Sequence, residues 1–161
     1  MPPSDLDLER IYRDHGHIVV RRAHRILGDE SEAREVLQEI FLSLVARPGQ
    51  FKGQSSITTF LYAVTTNACL TRLRDQRRRS ALLAQDAVGR ADAIGPVGEA
   101  SVAVQQLLAR LPERLARIAV YFFLDEMTHE EIAALLGLSR RQIGNLVARV
   151  EQEARKCARA A

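Results

Sequence analysis

The sequence lacks a long apolar run and has only two cysteines in 161 residues. No segment approaches the roughly 18 to 20 apolar residues that a membrane span requires, so we expect no membrane insertion. The first residues carry acidic side chains and no apolar segment, so we expect no export either. Cys69 and Cys157 lie too far apart to indicate a disulfide framework or a metal site, and we interpret both as packing or surface residues. We therefore expect a cytoplasmic protein, where thiols stay reduced.

Sequence motifs of catalysis are missing as well. The segment HEEIAALLG begins like the zinc-binding motif of metalloproteases, but Ala133 stands where a second histidine must follow His129. The sequence contains neither a glycine-rich phosphate loop nor a nucleophile elbow. It therefore predicts a protein that is not an enzyme and that needs no cofactor or metal.

What the sequence does have is helical periodicity. Hydrophobic residues make up 47% of the chain, which suffices for one ordinary domain or two very small helical ones. Apolar residues recur three and four positions apart, and the alternating β-branched runs of strands are absent. The formal net charge of +3 allows an anionic partner without requiring one. We predict an all-α fold.

The clearest predicted helix runs through DESEAREVLQEIFLSLVA. Asp29 or Ser31 suits its N-cap, and Pro48 with Gly49 ends the segment. One or two helices before it finish at Gly28. The apolar side of the helix is formed by Ala33, Val36, Leu37, Ile40, Phe41 and Leu44, with the polar residues on the other side.

A change of composition divides the chain. A third helix begins near Ile57 and runs on into TRLRDQRRR, but from about Ala84 the pattern fails in a stretch that contains glycines and a proline. Helical periodicity then returns, and Pro112 divides two helices. We predict two small helical domains, residues 1–80 and 101–161, joined by a flexible linker over residues 81–100.

The second domain has the spacing of a helix-turn-helix. A helix capped by Thr128, with Glu131 as the other half of a capping box, ends at Gly137, and Ser139 caps the next helix. The short turn sets the helices at a steep angle, so that the second one fits a DNA major groove. The alternative is an ordinary helical hairpin with a solvated basic face. The outward residues of the second helix suit contacts with base edges: Arg140, Arg141, Gln142, Asn145 and Arg149.

The segment from Lys52 to Arg79 has a different composition, with hydroxyl and cationic groups next to Phe60 and Tyr62. This mixture suits single-stranded nucleic acid, where bases stack on rings and phosphates are neutralised. For Phe60, packing in the core is an equally good interpretation. The arginines that follow would by themselves indicate only a solvated face.

Three segments of the chain resemble the two domains of small bacterial sigma factors of the extracytoplasmic-function group. They are EAREVLQEIFLSL, FKGQSSITTFLYAVTTNACLTRLRDQRRR and LPERLARIAVYFFLDEMTHEEIAALLGLSRRQIGNLVARV. The resemblance implies that the first domain binds RNA polymerase and melts and reads the minus-10 promoter element. The second domain would bind the minus-35 element as duplex and contact the polymerase flap. The resemblance also implies an anti-sigma protein as a partner and a role in the response to stress.

The resemblance assigns residues to three surfaces. Polymerase binding would fall to Glu32, Glu35, Gln38, Glu39 and Leu42. Minus-10 recognition would use Lys52, Gln54, Ser55, Ser56, Thr59, Phe60, Asn67, Arg72, Arg74, Arg77 and Arg78, with the loop from Lys52 to Ser56 receiving a flipped-out base. Minus-35 recognition would use Thr128, Arg140, Arg141, Gln142, Asn145 and Arg149.

Some positions depart from the pattern of the family. Phe60 replaces the usual tryptophan, while Ala63 and Thr66 stand where basic residues are common. Gly144 and Leu146 occupy places that are commonly lysine and arginine. Two other hypotheses stay open: a free-standing helix-turn-helix regulator whose first domain senses a ligand, and a sigma-like adaptor without DNA recognition.

Overall fold

The computed structural model describes residues 7–83 and 100–160. Within these ranges all regular secondary structure is helical, which confirms the predicted all-α class. The α-helices are α1 (Leu8–Leu27), α2 (Glu30–Ala46), α3 (Ile57–Leu83), α4 (Val102–Arg110), α5 (Glu113–Ala119), α6 (His129–Leu136) and α7 (Arg140–Arg159). A 3-10 turn covers Pro48–Gln50 and a π-helical turn covers Val120–Leu124.

The chain forms two compact units, Met1–Cys69 and Leu70–Ala161, whose boundary lies within α3. Residues 81–83 of the predicted linker are the last residues of α3, and residues 84–99 lie outside the described residues. The domain bounds 1–80 and 101–161 therefore stay a prediction. In the described part of the chain, no helix is long and apolar enough to cross a membrane.

In the first unit, α1 and α2 pack against each other, and two residues make the turn between them. Gly28 adopts φ 70°, and its N–H donates to the carbonyl oxygen of His24 at 2.7 Å, which ends α1. The carboxylate of Asp29 accepts the N–H of Glu32 at 2.8 Å, so Asp29 rather than Ser31 is the N-cap of α2. One continuous helix precedes Gly28, and the predicted apolar stripe of α2 is buried.

The helix α3 begins after Ser56, whose hydroxyl accepts the N–H of Thr59 at 3.1 Å. Its buried side includes Leu61, Thr65 and Cys69. The buried Thr65 hydroxyl donates to the carbonyl oxygen of Leu61 at 2.6 Å, so this hydroxyl is paired within the helix. The third helix predicted from Ile57 is confirmed.

In the second unit, α7 packs against α5 and α6. Pro112 precedes α5 and separates it from α4, as predicted. Ile118, Ile132 and Ile143 are fully buried and belong to α5, α6 and α7 respectively. The apolar sides of these three helices therefore supply the core of this unit.

The π-helical turn was not predicted from the sequence. The N–H of Asp125 donates to the carbonyl oxygen of Val120 at 3.0 Å, one residue further back than in an α-helix. Tyr121 is buried, whereas Phe123 is 49% exposed and its ring meets the edge of the Phe122 ring. All five residues of this turn, Val120–Leu124, are apolar, so the extra residue in the turn leaves no visible break in the apolar pattern.

Candidate polymerase and nucleic-acid interfaces

The outward side of α2 combines acidic and apolar residues. Leu42 is 69% exposed and Val45 is 63% exposed, so two large apolar side chains lie one turn apart on the surface of this helix. Val45 was not predicted as part of the surface, although its place three residues after Leu42 could have suggested it. We call this surface the α2 outer face, and it comprises Glu32, Glu35, Gln38, Glu39, Leu42 and Val45.

An ion pair lies on the same helix beside this face. Arg34 lies on α2 as well, and its Nη2 atom donates to Oε1 of Glu30 at 2.8 Å. The hydrogen bond and charge of Arg34 lower the pKa of Glu30. The charge of Arg34 is therefore balanced by Glu30 within the same helix.

The loop between α2 and α3 is anchored at its beginning. The side-chain amide of Gln50 donates to the carbonyl oxygen of Ser43 at 2.9 Å and to its hydroxyl at 2.8 Å. The rings of Phe51 and Phe60 lie 5.2 Å apart between centroids, which ties the loop to α3. Phe60 thus makes the packing contact that the sequence allowed, while a contact with a base stays a prediction.

Beyond these anchors the loop is exposed. Lys52, Gln54, Ser55 and Ser56 all lie on the surface, and Gly53 adopts φ 71°. The hydroxyls of Ser56 and Thr59 are 2.9 Å apart at the start of α3. The structure therefore presents most of the predicted minus-10 loop to solvent, between two fixed ends.

The predicted residues further along α3 have unequal surroundings. Arg77 and Arg78 are exposed, whereas Arg74 is half-buried and its Nη1 atom lies 3.9 Å from Oε2 of Glu113. Asn67 is also half-buried, and its Oδ1 atom accepts no hydrogen bond from the described residues. Arg72 is half-buried as well. The most accessible cations of this set are therefore Arg77 and Arg78.

One buried cation on the first unit was not predicted. Arg22 of α1 is only 5% exposed, and its Nε atom donates to the hydroxyl of Thr66 on α3 at 2.8 Å. Its guanidinium carbon lies 3.4 Å from the centre of the Tyr62 ring. A desolvated contact of this kind is worth about 2 kcal/mol. The only sequence signal was an arginine within the apolar stripe of α1.

In the second unit, the caps of the helix-turn-helix form as predicted. The N–H of Thr128 donates to Oε2 of Glu131 at 2.7 Å, and the N–H of Glu131 donates to the Thr128 hydroxyl at 3.2 Å. Gly137 ends α6 with φ 67°. Ser139 then caps α7 and forms a second capping box with Gln142. The S-x-x-Q spacing could have revealed this second box from the sequence.

The helix α7 presents all five of its predicted outward residues to solvent. Its opposite side is buried and includes Leu146, which is only 6% exposed. The departure from the family pattern at Leu146 therefore falls on a core position. We call the exposed residues the α7 outer face: Arg140, Arg141, Gln142, Asn145 and Arg149.

The second capping box involves one of these residues. Oε1 of Gln142 accepts the N–H of Ser139 at 2.9 Å. A bidentate contact with adenine uses both the oxygen and the nitrogen of a glutamine side chain. Such a contact by Gln142 would require this oxygen to leave the cap, whereas Asn145 carries no such restriction.

An acidic residue of α6 approaches the first residue of α7. Oε1 of Glu130 lies 3.1 Å from Nε of Arg140, and both side chains are well exposed. Because Nε makes this contact, the two terminal nitrogens of the guanidinium can still form a bidentate contact with guanine. Glu130 was not predicted, because an ion pair between two helices does not depend on a fixed spacing of residues in the sequence.

Gly144 lies within α7 next to the first residue of α6. A Cβ atom at this position would lie 3.8 Å from Cε1 of His129, which is an ordinary van der Waals contact. The His129 ring in turn packs on Phe122, with centroids 5.2 Å apart. Packing therefore does not require glycine at position 144.

Comparison with known families matches two parts of the chain. The family model of Sigma-70 region 2 matches residues 11–79, and that of Sigma-70, region 4 matches residues 101–153. Together with the helix-turn-helix, these matches define a protein of the sigma-70 class of transcription initiation factors.

Individual relatives narrow the class. The chain is 28% identical over 142 residues to the ECF RNA polymerase sigma factor SigM of Mycobacterium tuberculosis, covering 88% of this chain and 71% of that protein. It is 25% identical over 165 residues to the ECF RNA polymerase sigma factor SigW of Bacillus subtilis, covering 93% of this chain and 86% of that protein. The chain belongs to the extracytoplasmic-function (ECF) sigma factors, which direct RNA polymerase to promoters.

A solved structure has the same fold. It is the sigma factor RpoE from Bartonella quintana in complex with the anti-sigma factor NepR, with a TM-score of 0.53 and 16% sequence identity. The match covers 95% of this chain and 97% of the RpoE chain. The predicted fold class is confirmed, and the family models and relatives confirm the predicted function as a sigma factor.

Proposed function

We propose that three surfaces divide the work of this sigma factor. The α2 outer face binds core RNA polymerase, the segment from Lys52 to Arg78 captures the unpaired minus-10 strand, and the α7 outer face reads the minus-35 duplex. The observation that carries this proposal is the opposite chemistry of the two outer faces. The α2 outer face is acidic and apolar, whereas the α7 outer face is basic and amide-rich.

The α2 outer face suits a protein partner. Its exposed apolar residues, Leu42 and Val45, can be buried against a complementary surface, which supplies binding free energy. Its glutamates repel the phosphates of DNA and favour a basic protein surface. This combination supports binding to polymerase rather than to DNA.

The segment from Lys52 to Arg78 suits a single strand. Unpairing and extruding a base costs a few kcal/mol, and a pocket that holds the extruded base offsets this cost. The exposed loop from Lys52 to Ser56 offers a cation, amides and hydroxyls for such a base, and Arg77 and Arg78 can hold the phosphates. Arg74 would have to leave Glu113 before it could do the same.

The α7 outer face suits a duplex. The capping box of Ser139 fixes the first turn of α7, so Arg140 and Arg141 project from the end of the helix that points at bases in helix-turn-helix complexes. Asn145 lies one turn further along the same side. Glu130 repels phosphates beside Arg140 and so favours base reading by this arginine over phosphate binding.

The remaining parts of the proposal concern partners and place of action. We propose that the protein makes and breaks no covalent bond itself and acts in the cytoplasm with polymerase. An anti-sigma factor accompanies the Bartonella RpoE structure, and we propose that a protein of the same kind holds this chain inactive.

Run-off transcription tests the proposal directly. The full chain is added to core RNA polymerase on fragments of the host genome, with core alone as the control. Discrete new transcripts, whose aligned start sites share two upstream elements, are the expected result.

Two other outcomes separate the rival hypotheses. Core binding without transcripts would favour a sigma-like adaptor or a missing partner. If the chain neither binds core nor yields transcripts, but still binds duplex DNA, it would be a free-standing regulator. The match of residues 11–79 to Sigma-70 region 2 favours the sigma factor over that regulator.

A further inference from the structure

Arg22 is the buried cation of the first unit. It lies on the apolar stripe of α1 beside Val19 and Ala23, which are both fully buried. A buried charge is costly unless partners compensate it. The helix α3 contributes to this compensation through the hydroxyl of Thr66 at 2.8 Å and the ring of Tyr62 at 3.4 Å.

The hydroxyl of Thr66 is both an acceptor and a donor of hydrogen bonds in this arrangement. It accepts the Nε–H of Arg22 and donates to the carbonyl oxygen of Tyr62 at 2.8 Å. Thr66 and Tyr62 are one helical turn apart, so the guanidinium contacts both at once. The guanidinium carbon therefore lies over a ring of the same helix, and the hydrogen bond to Thr66 fixes the guanidinium there.

Tyr62 belongs to the segment proposed to contact the minus-10 strand. It lies two residues after Phe60 and one turn after Thr59 on the same side of α3, and it is half-buried rather than enclosed. A ring that is already held loses little side-chain freedom when a base stacks on it. A guanidinium beneath the ring thus prepares it for stacking.

We propose that Arg22 is a positioning residue for recognition of the unpaired minus-10 strand. It holds the Tyr62 ring for base stacking, and it acts on the strand only through that ring. Arg22 also places a positive charge next to the side chain of Thr66, which is itself uncharged. This inference rests on the proposed function of the segment from Lys52 to Arg78.

A double-mutant cycle tests this role in the assembled holoenzyme. The variants are Arg22→Met, Tyr62→Leu and the pair together, and the probe is a fluorescent non-template strand that spans a minus-10 element mapped by run-off transcription. We expect each single substitution to weaken strand binding about tenfold, the range of one lost base stack. The double variant should bind within about twofold of Tyr62→Leu, because Arg22 has no further route to the strand.

Two controls separate positioning from a loss of stability. Val19→Ala truncates a neighbouring buried residue of α1 and keeps the guanidinium of Arg22, and its thermal midpoint is compared with that of Arg22→Met. Binding of a duplex that carries only the minus-35 element should be unchanged in every variant. If Arg22→Met does not fold, Thr66→Val removes the anchor of Arg22 and keeps the shape of the threonine.

Several results would overturn the inference. The first is unchanged strand binding by Arg22→Met. The second is a loss of strand affinity in the double variant that equals the product of the two single losses. The third is a loss of strand affinity in Val19→Ala as large as that in Arg22→Met. If the wild-type holoenzyme binds the minus-35 duplex but not the single strand, the proposed minus-10 surface is wrong. The role of Arg22 then fails with it.

Discussion

The helices α2 and α7 are built on the same plan and differ in what they show to solvent. Both begin at a side-chain cap, Asp29 and Ser139, and both bury one continuous apolar side. On the outside, α2 carries Glu35 and Glu39 next to exposed Leu42, whereas α7 carries arginines and amides. The buried sides make the two helices alike as structural elements, and the outer sides give each a different class of partner.

Reversing the charge of the α2 outer face should have the largest effect. We expect Glu35→Lys with Glu39→Lys to abolish binding to core polymerase, because two attractive charges become repulsive at the interface. Binding is measured by titrating labelled protein with core polymerase. The control, Glu9→Lys with Glu151→Lys, changes the net charge equally at exposed sites on α1 and α7. Retained binding by the α2 variant would reject this face as the polymerase surface.

Removing charge from the α7 outer face should have the next largest effect. We expect Arg140→Ala with Arg141→Ala to weaken binding of a minus-35 duplex by about 30-fold or more, since each of the two base contacts contributes about 1–3 kcal/mol. The dependence of affinity on salt should also become shallower if either arginine contacts phosphate. Fluorescence anisotropy at several salt concentrations measures both. Arg155→Ala, near the end of the same helix, is the control, and unchanged affinity and salt dependence in the double variant would contradict the assignment.

A subtler change removes only the acidic neighbour of Arg140. Glu130→Gln should raise affinity for unrelated duplex severalfold and lower the preference for the promoter sequence, because the arginine becomes free to meet phosphate. Competition between promoter and unrelated duplex measures this preference. Glu131→Gln is the matched control, since it removes the same charge at the next residue and preserves the capping box. Equal effects of the two variants would mean that only net charge matters.

The smallest predicted effect concerns stability within the α7 helix. Gly144→Ala should raise the free energy of unfolding by about 0.5–1 kcal/mol, because alanine restricts the unfolded chain and its Cβ meets only an ordinary contact with His129. Calorimetry of the full chain measures the change. Gly137→Ala should have the opposite sign, because Gly137 adopts φ 67°. A fall in stability for Gly144→Ala would show that the contact with His129 is too tight.

The features that the sequence predicted correctly are the local ones. The buried stripe of α2, the cap of Thr128 and the turn at Gly137 each depend on residues a few positions apart. Periodicity and capping rules describe that range of the chain directly. The same rules predicted that the five residues of the α7 outer face are exposed.

The features that the sequence did not predict are of two kinds. Some are contacts between distant residues, and others arise where one side chain suits two different contacts. Arg22 and Thr66 are 44 residues apart, and no spacing rule connects them. Glu130 and Arg140 lie on two different helices, so their pairing depends on the angle between those helices. Gln142 was assigned to DNA for its chemistry, whereas in the structure its oxygen completes a cap. Which residues contact DNA or polymerase stays a prediction.

The two capping boxes have a consequence for how the helix-turn-helix folds. Each box links residues only three positions apart, so the first turns of α6 and α7 can form before distant parts of the chain make contact. Closing such short loops costs little chain entropy, and contacts of this kind favour rapid folding. Arg140, Arg141 and Asn145 take no part in the boxes. Mutation can therefore change them, and with them the preferred promoter, without disturbing the early steps by which the motif forms.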